Sequence, residues 1–149
     1  MRAGNLVYFP LGNSPSMQLW RTDGTTAGSF LVGYPGAVEC LAAGGSRAYF
    51  VGWTAECGEE LWTSDGTMVG TLMLRDINPG TGNSMPYCQP GFFHNGQYFF
   101  FADDGTSGRY LWVTDGTPGG TRALVSSPGS RESGITLLND RLVFFIGSE

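Results

Sequence analysis

An 11-residue motif occurs three times in this chain and constrains its fold more than any other feature. The copies span residues 19–29, 61–71 and 111–121, and each reads Leu-Trp-x-Thr/Ser-Asp-Gly-Thr-x-x-Gly-Thr/Ser. Their tryptophans, Trp20, Trp62 and Trp112, lie 42 and 50 residues apart. Such a period is typical of propellers and solenoids rather than of a single-copy domain. We therefore expect an array of similar units.

The Asp-Gly pair of each copy is predicted to form a hairpin turn, because an apolar Leu-Trp pair precedes it and an apolar run follows it. Aspartate accepts hydrogen bonds from backbone N–H groups two residues on, and glycine adopts the positive φ that a side chain resists. A metal-binding or acid–base role for the aspartates is the alternative, but a turn needed in every repeat explains their recurrence. The turn residues are Asp23, Gly24, Asp65, Gly66, Asp115 and Gly116.

Aromatic strands are predicted at residues 6–9, 47–52, 97–102 and 141–147, and they do not alternate polar with apolar residues. Their sheets should therefore be covered on both faces. No helical periodicity supplies a covering layer, so sheet must cover sheet, as in radially stacked four-stranded blades. The predicted fold class is all-β, a β-propeller-like array of about three four-stranded antiparallel blades. We expect it to be a segment of a larger propeller.

The repeats are expected to span about 5–45, 46–96 and 97–140, with a fourth repeat starting at 141–149. Because closed propellers usually have four to eight blades, the array would continue in further repeats or complete a ring by self-association. Two chains would supply six blades. A self-contained two-sheet sandwich is the competing architecture.

The composition agrees with short strands joined by tight turns, since the chain has 24 Gly and 8 Pro and only 14% charged residues. Its net charge is -5, so it lacks the footprint of a nucleic-acid-binding protein. No apolar run reaches 18 residues, and no membrane span is predicted. Cys40, Cys57 and Cys88 lack C-x-x-C spacing, which disfavours a zinc site. One disulfide with a free thiol and three buried thiols both remain open.

The order of aromatic strand, Leu-Trp motif, apolar strand and Pro-Gly turn resembles the ELWxxDGTxxGT-type tandem repeats of large bacterial surface and secreted proteins. Nearly the whole chain fits this pattern. Only Glu60 matches the leading glutamate, which Gln18 and Tyr110 replace, and Ser29 replaces the closing threonine. The resemblance implies a β-propeller-like array embedded in longer proteins, an extracellular or cell-surface location, and mostly no defined activity.

Loop variation suggests where a ligand would bind, because binding residues concentrate on loops of rigid scaffolds. Repeat 2 has extra residues at 80–91, which include Asn83 and Tyr87. Trp53 follows an aromatic strand, where its ring could stack on a sugar or a partner surface. The alternatives are a freely variable surface loop and a tryptophan folded over the edge of its blade.

The sequence contains few residues that would indicate a catalytic site or a metal-binding site. Asp103 and Asp104 form a weak calcium candidate, and His94 is the only histidine, so no catalytic residue or cofactor is predicted. The expected function is a non-enzymatic extracellular repeat module that acts as a scaffold or binding surface for a protein or glycan. The alternatives are a fragment of a glycosidase-like propeller hydrolase, with its catalytic residues on missing blades, and a purely structural spacer.

Overall fold

The computed structural model of the chain describes residues 1–13, 17–33, 36–85, 91–127, 132–139 and 141–146. Within these ranges the chain contains β-strands and no helix, which confirms the predicted all-β class. Accordingly, no helix long and apolar enough to cross a membrane occurs among these residues.

The strands form three four-stranded antiparallel sheets and a two-stranded hairpin, and in each sheet the strands follow chain order. Sheet 1 comprises β1 (Arg2–Ala3), β2 (Leu6–Leu11), β3 (Gln18–Thr22) and β4 (Phe30–Leu31). Sheet 2 comprises β5 (Val38–Gly44), β6 (Arg47–Thr54), β7 (Gly58–Ser64) and β8 (Leu72–Met73). Sheet 3 comprises β9 (Phe92–His94), β10 (Gln97–Asp103), β11 (Arg109–Thr114) and β12 (Arg122–Ser127). The hairpin comprises β13 (Glu132–Leu138) and β14 (Arg141–Ile146).

The sheets are offset by one strand from the sequence repeats. The strand that ends each sequence repeat pairs with the aromatic strand of the next one, as β5 pairs with β6 and β13 with β14. Gly45 and Asn139 lie in the tight turns that join these pairs, with φ of 60° and 49°. A point at which the sequence pattern restarts is therefore the turn of a hairpin inside one sheet.

The same register recurs in all three sheets. In each, a phenylalanine of the aromatic strand lies opposite the tryptophan of the motif: Phe9–Trp20, Phe50–Trp62 and Phe100–Trp112. This pairing defines equivalent positions, so that a residue of β2 can be compared with its counterparts in β6 and β10.

Sheet 2 lies between sheets 1 and 3, and both of its faces are buried. On one face, Ala48 and Phe50 pack in a cluster with Tyr8 and Leu19 of sheet 1. Because successive strand residues point to opposite faces, Tyr49 of the same strand lies on the other face.

The second cluster joins sheets 2 and 3. It contains Tyr49 and Val51 of β6 together with Tyr98 and Phe100 of β10. The rings of Tyr49 and Tyr98 stack with centroids 4.4 Å apart and an interplanar angle of 6°. The expectation that sheet covers sheet therefore holds for sheet 2, and it explains why β6 shows no polar alternation. The sheets form a stack of three, not the two-sheet sandwich that was the competing architecture.

Candidate functional site

The repeated turn between β3 and β4 is held by hydrogen bonds centred on Asp23 and Thr25. Thr25 donates its backbone N–H and its hydroxyl to Asp23 Oδ1, at 2.9 and 2.7 Å. The Thr25 hydroxyl in turn accepts the backbone N–H of Gly28 at 3.0 Å. Ser29 donates its hydroxyl to the Thr25 carbonyl at 2.6 Å. The polar residues of the motif are thus used to close the turn on itself.

The other two copies of the motif make the same bonds. The Asp–Thr pairs are Asp65–Thr67 and Asp115–Thr117, with Oδ1 accepting both bonds at 2.6–2.9 Å. The closing residues Thr71 and Thr121 each donate a hydroxyl to the carbonyl of that Thr at 2.7 Å. In the first copy Ser29 takes this place, and its hydroxyl makes the same bond without a threonine methyl.

Two glycines in each turn are required by geometry. The first follows the aspartate and has a φ that side chains rarely adopt: 96° at Gly24, 90° at Gly66 and 89° at Gly116. The second lies against the aspartate itself, so that a Cβ there would overlap the carboxylate: Gly28 on Asp23, Gly70 on Asp65 and Gly120 on Asp115. No role for this second glycine was predicted from the sequence, although its presence in all three copies is a usable signal.

In sheets 2 and 3 the turn also packs against the preceding sheet. A Cβ on Gly66 would lie 2.5 Å from Leu6 Cδ1 and 3.0 Å from the Tyr8 hydroxyl. Gly116 approaches Arg47 and Tyr49 of sheet 2 in the same way, with gaps of 2.8 and 3.1 Å to such a Cβ. In sheets 2 and 3 the motif therefore has two structural roles. It closes a hairpin, and it packs its own sheet against the preceding sheet.

The same hydrogen bonds set the charge of the turn aspartates. The pKa of each carboxyl is lowered, and the largest cause is the hydroxyl of the threonine two residues on: Asp23 with Thr25, Asp65 with Thr67 and Asp115 with Thr117. A catalytic acid needs a pKa near the working pH, so carboxyls whose pKa is lowered further from neutrality are poorly suited to donate a proton. Geometry and charge both favour the turn-forming interpretation.

Glu60 on β7 is a fully buried carboxyl, with none of its surface exposed. The Ser84 hydroxyl donates to its Oε2 at 2.6 Å, and the backbone N–H of Asn78 donates to its Oε1 at 3.0 Å. Burial raises the pKa of Glu60 to about 7, against the lowering effect of these hydrogen bonds. In the sequence, Glu60 stood out only as a match to the leading glutamate of the repeat, and its burial was not predicted.

Segment 78–85 fastens sheet 2 to sheet 3. Ser84 donates its backbone N–H to the Glu59 carbonyl at 2.9 Å, and its own carbonyl accepts the Asp103 N–H at 2.8 Å. Asn83 Oδ1 accepts the Glu59 N–H at 3.0 Å. The predicted ligand residue Asn83 thus already holds the segment in place, and Tyr87 lies outside the described residues.

Trp53 lies near the end of β6, opposite Glu59, and 46% of its surface is exposed. Because Asn83 binds the N–H of Glu59, the structure brings these two predicted ligand residues to either side of one glutamate. Burial, and secondarily the charge of Glu39, raises the pKa of Glu59. The arrangement places an exposed indole opposite the Glu59 side chain, whose carboxyl can form hydrogen bonds.

The calcium candidate forms a turn that uses its own oxygen atoms. Asp103 Oδ1 accepts the Gly105 N–H at 2.8 Å. Asp104 Oδ1 accepts the N–H groups of Thr106 and Ser107 at 3.0 and 2.7 Å. In the part of the chain that the structure describes, no group of three or more His, Cys, Asp or Glu residues could hold a metal ion.

The cysteines fall into different classes. Cys40 is disulfide-bonded, Cys57 is a free thiol, and Cys88 lies outside the described residues. Of the two alternatives left open by the sequence, three buried thiols is therefore wrong. A disulfide is typical of proteins in oxidising compartments.

Comparison of the chain with models of protein families, with characterised proteins and with solved structures finds no match. The resemblance to ELWxxDGTxxGT-type repeats therefore depends on the residues of the motif alone.

Proposed function

We propose that this chain is a non-enzymatic β-propeller repeat module that acts outside the cell as a scaffold or binding surface for a protein or glycan. The observation that carries the proposal is the repeated turn. Its aspartates are the acidic residues whose recurrence most suggests chemistry, and all three make the same two hydrogen bonds within their own loops. The recurrence of these aspartates is therefore explained by the turn that each repeat needs.

The propeller part of the proposal is supported by the way the sheets stack. The joint between sheets 1 and 2 and the joint between sheets 2 and 3 use equivalent positions, with Gly66 on Tyr8 in one and Gly116 on Tyr49 in the other. A joint that repeats between successive four-stranded sheets generates a regular array, of which a ring of blades is the closed form.

The extracellular location is supported by the disulfide at Cys40 and by the resemblance to bacterial surface and secreted repeats. A cytosolic protein would normally keep this cysteine reduced.

The binding surface is proposed to lie around Trp53. A half-exposed indole presents an apolar face on which a sugar ring or an aromatic side chain stacks. The neighbouring Glu59 carboxylate can accept hydrogen bonds from sugar hydroxyls or from backbone N–H groups of a protein. The two residues lie opposite each other on the paired strands β6 and β7, so little conformational entropy of the backbone is lost when a ligand binds.

A glycan array with point variants tests this surface. We expect the unmodified chain to bind a defined set of glycans, Trp53→Ala to lower that affinity at least tenfold, and Val69→Ala to leave it unchanged. Val69 is the matched control because it is an apolar residue that is 92% exposed elsewhere on sheet 2's turn. Glycan binding that survives Trp53→Ala would refute the assignment of this surface.

Point variants are preferable to deletion of the loop at 80–91. Ser84 and Met85 are buried, and Ser84 bridges sheets 2 and 3. Removing them would disturb the stack itself, so that lost binding would carry no information about contact with the ligand.

The hydrolase alternative has one observation in its favour, the pKa of about 7 at Glu60, which suits a general acid. However, Glu60 is fully buried and bonded to Ser84 and Asn78, so in the described part of the chain its carboxyl has no surface that a substrate could contact. Turnover of a panel of aryl glycosides that disappears in Glu60→Gln would overturn the non-enzymatic proposal.

A further inference from the structure

The outer face of β2 is apolar and uncovered among the described residues. Val7 and Leu11 are 40% and 52% exposed, and Phe9 between them is partly exposed. These three side chains share one face because alternate residues of a strand point the same way. They form a row that we call the β2 outer row.

The equivalent positions in the other sheets are buried by the preceding sheet. Val7 corresponds by register to Ala48 and Tyr98, which are 0% and 2% exposed. Both pack in the clusters that join successive sheets. The β2 outer row is thus the same surface on sheet 1, where no sheet formed by the described residues covers it.

The turn of sheet 1 is likewise uncovered among the described residues, which is a second and independent observation. Gly66 and Gly116 are buried against a tyrosine of the preceding sheet, whereas Gly24 is exposed with no described atom close enough to meet a Cβ. All three glycines have φ between 89° and 96°, so the first turn is already shaped for the contact that the other two make.

The two internal joints also show what covers such a face. An aromatic strand of the preceding sheet covers it, with the face opposite to the one that corresponds to the β2 outer row. At the joint between sheets 2 and 3 this strand is β6, and its Arg47 and Tyr49 contact the turn. On β14, Arg141 and Val143 stand at these positions, because Arg141 follows the turn from Leu138 as Arg47 follows the turn from Gly44. Arg141 is exposed and Val143 partly exposed.

Charge complements the shape. Asp115 is lowered in pKa mainly by Thr117, and the nearby Arg47 of the preceding sheet adds to the effect. When β14 covers sheet 1, Arg141 takes the place of Arg47 beside the carboxylate of Asp23. An ionised aspartate facing an arginine favours this orientation over one that brings two acidic turns together.

We propose that the β2 outer row and the Asp23–Gly24 turn form an interaction surface for a second copy of this chain, which seats its β14 strand there, head to tail. Such an interface is heterologous, so repeated association closes a ring or extends as a filament. The proposal uses the stacking of the sheets and not ligand binding at Trp53 on sheet 2, so failure of either leaves the other to be tested by its own assay.

Sedimentation velocity over a hundredfold range of concentration tests the proposal with three variants. Leu11→Glu places a charge in the β2 outer row, Arg141→Glu reverses the charge on β14, and Val69→Glu is a control at a side chain that is 92% exposed. We expect the unmodified chain and Val69→Glu to associate as concentration rises. Each of the other two variants alone should dissociate at least tenfold more readily, with unchanged circular dichroism and melting temperature.

A mixture of the two interface variants gives the sharpest result. Leu11→Glu keeps an intact β14, and Arg141→Glu keeps an intact β2 outer row, so an equimolar mixture should form a 1:1 dimer and nothing larger. A face-to-face dimer of two β2 outer rows would instead be insensitive to Arg141→Glu and would not be restored by mixing, which would overturn the proposal. A monomeric unmodified chain at all concentrations would overturn it as well.

Discussion

Replacing Glu60 by glutamine should remove a pH dependence of stability that this buried carboxyl imposes. Its pKa is about 7 in the folded chain, against 4.5 for an ordinary glutamate. In the folded state the group is therefore protonated at pH values where the unfolded chain has already released the proton. The folded chain loses stability as pH rises from 4.5 to about 7, and the loss is complete above that pH.

The size of the effect follows from the pKa difference. One pKa unit corresponds to about 1.4 kcal/mol, so the free energy of unfolding should fall by roughly 3 kcal/mol between pH 4.5 and pH 8. Glutamine is neutral throughout and should flatten this change. It also fits the site, because the Ser84 hydroxyl already lies 3.2 Å from the Glu59 carbonyl and can donate there. The freed serine oxygen can then accept from the new amide.

Urea denaturation at pH 5 and pH 8, followed by tryptophan fluorescence, measures the difference. The exposed Glu56 supplies the control, since Glu56→Gln removes the same charge without touching a buried site. The turn aspartates, whose pKa values are lowered from 3.8, lose their stabilising effect only at lower pH and do not interfere. Equal stability of the unmodified chain at both pH values, or an undiminished fall in Glu60→Gln, would refute this account of the site.

Three further outcomes are expected from the repeated turn. Gly66→Ala and Gly24→Ala both strain a positive-φ backbone, at a cost on the order of 1–3 kcal/mol. In urea denaturation, Gly66→Ala should lower the free energy of unfolding more than Gly24→Ala, because only the Cβ at position 66 meets sheet 1. Equal losses in the two variants would contradict the contact between the turn and sheet 1. Gly70→Ala should destabilise strongly by overlapping the Asp65 carboxylate, and the added cost should shrink in an Asp65→Ala background. Thr71→Ser should be nearly neutral, whereas Thr71→Val should lose about 1 kcal/mol per hydrogen bond removed; the reverse order of melting temperatures would be inconsistent with these bonds.

The sheet content could be predicted because the repeats carry their own structural signals. The uninterrupted apolar run of β6 required cover on both faces, and the structure provides it through Phe50 on one side and Tyr49 on the other. The Asp-Gly turns were readable because the positive φ of Gly66 is a local property of the chain.

The offset between sequence repeats and sheets could not be predicted in the same way. A repeating pattern fixes the period of an array but not the point at which one sheet ends and the next begins. That boundary depends on pairing between strands, and β5 pairs with β6 across the turn at Gly45. Periodicity is the same whichever strand is counted first.

The environment of Glu60 was equally hidden from the sequence. A glutamate next to a Leu-Trp pair gives no indication of burial, because its partner Ser84 is 24 residues away in a segment of variable length. For Trp53 the sequence left two alternatives open, an exposed ring and a ring folded over the edge of its blade, and in the structure 46% of its surface is exposed. Its role in binding stays a prediction.

The stacking of successive repeats through their turns is tested most directly by nuclear Overhauser contacts in the 149-residue chain. The structure predicts contacts from the Gly66 α protons to the Tyr8 ring and from the Gly116 α protons to the Tyr49 ring. Tyr49 and Tyr98 should also show contacts between their stacked rings. Contacts from Gly116 to Tyr8, or the absence of contacts from both glycines to any tyrosine, would contradict the stack of three sheets.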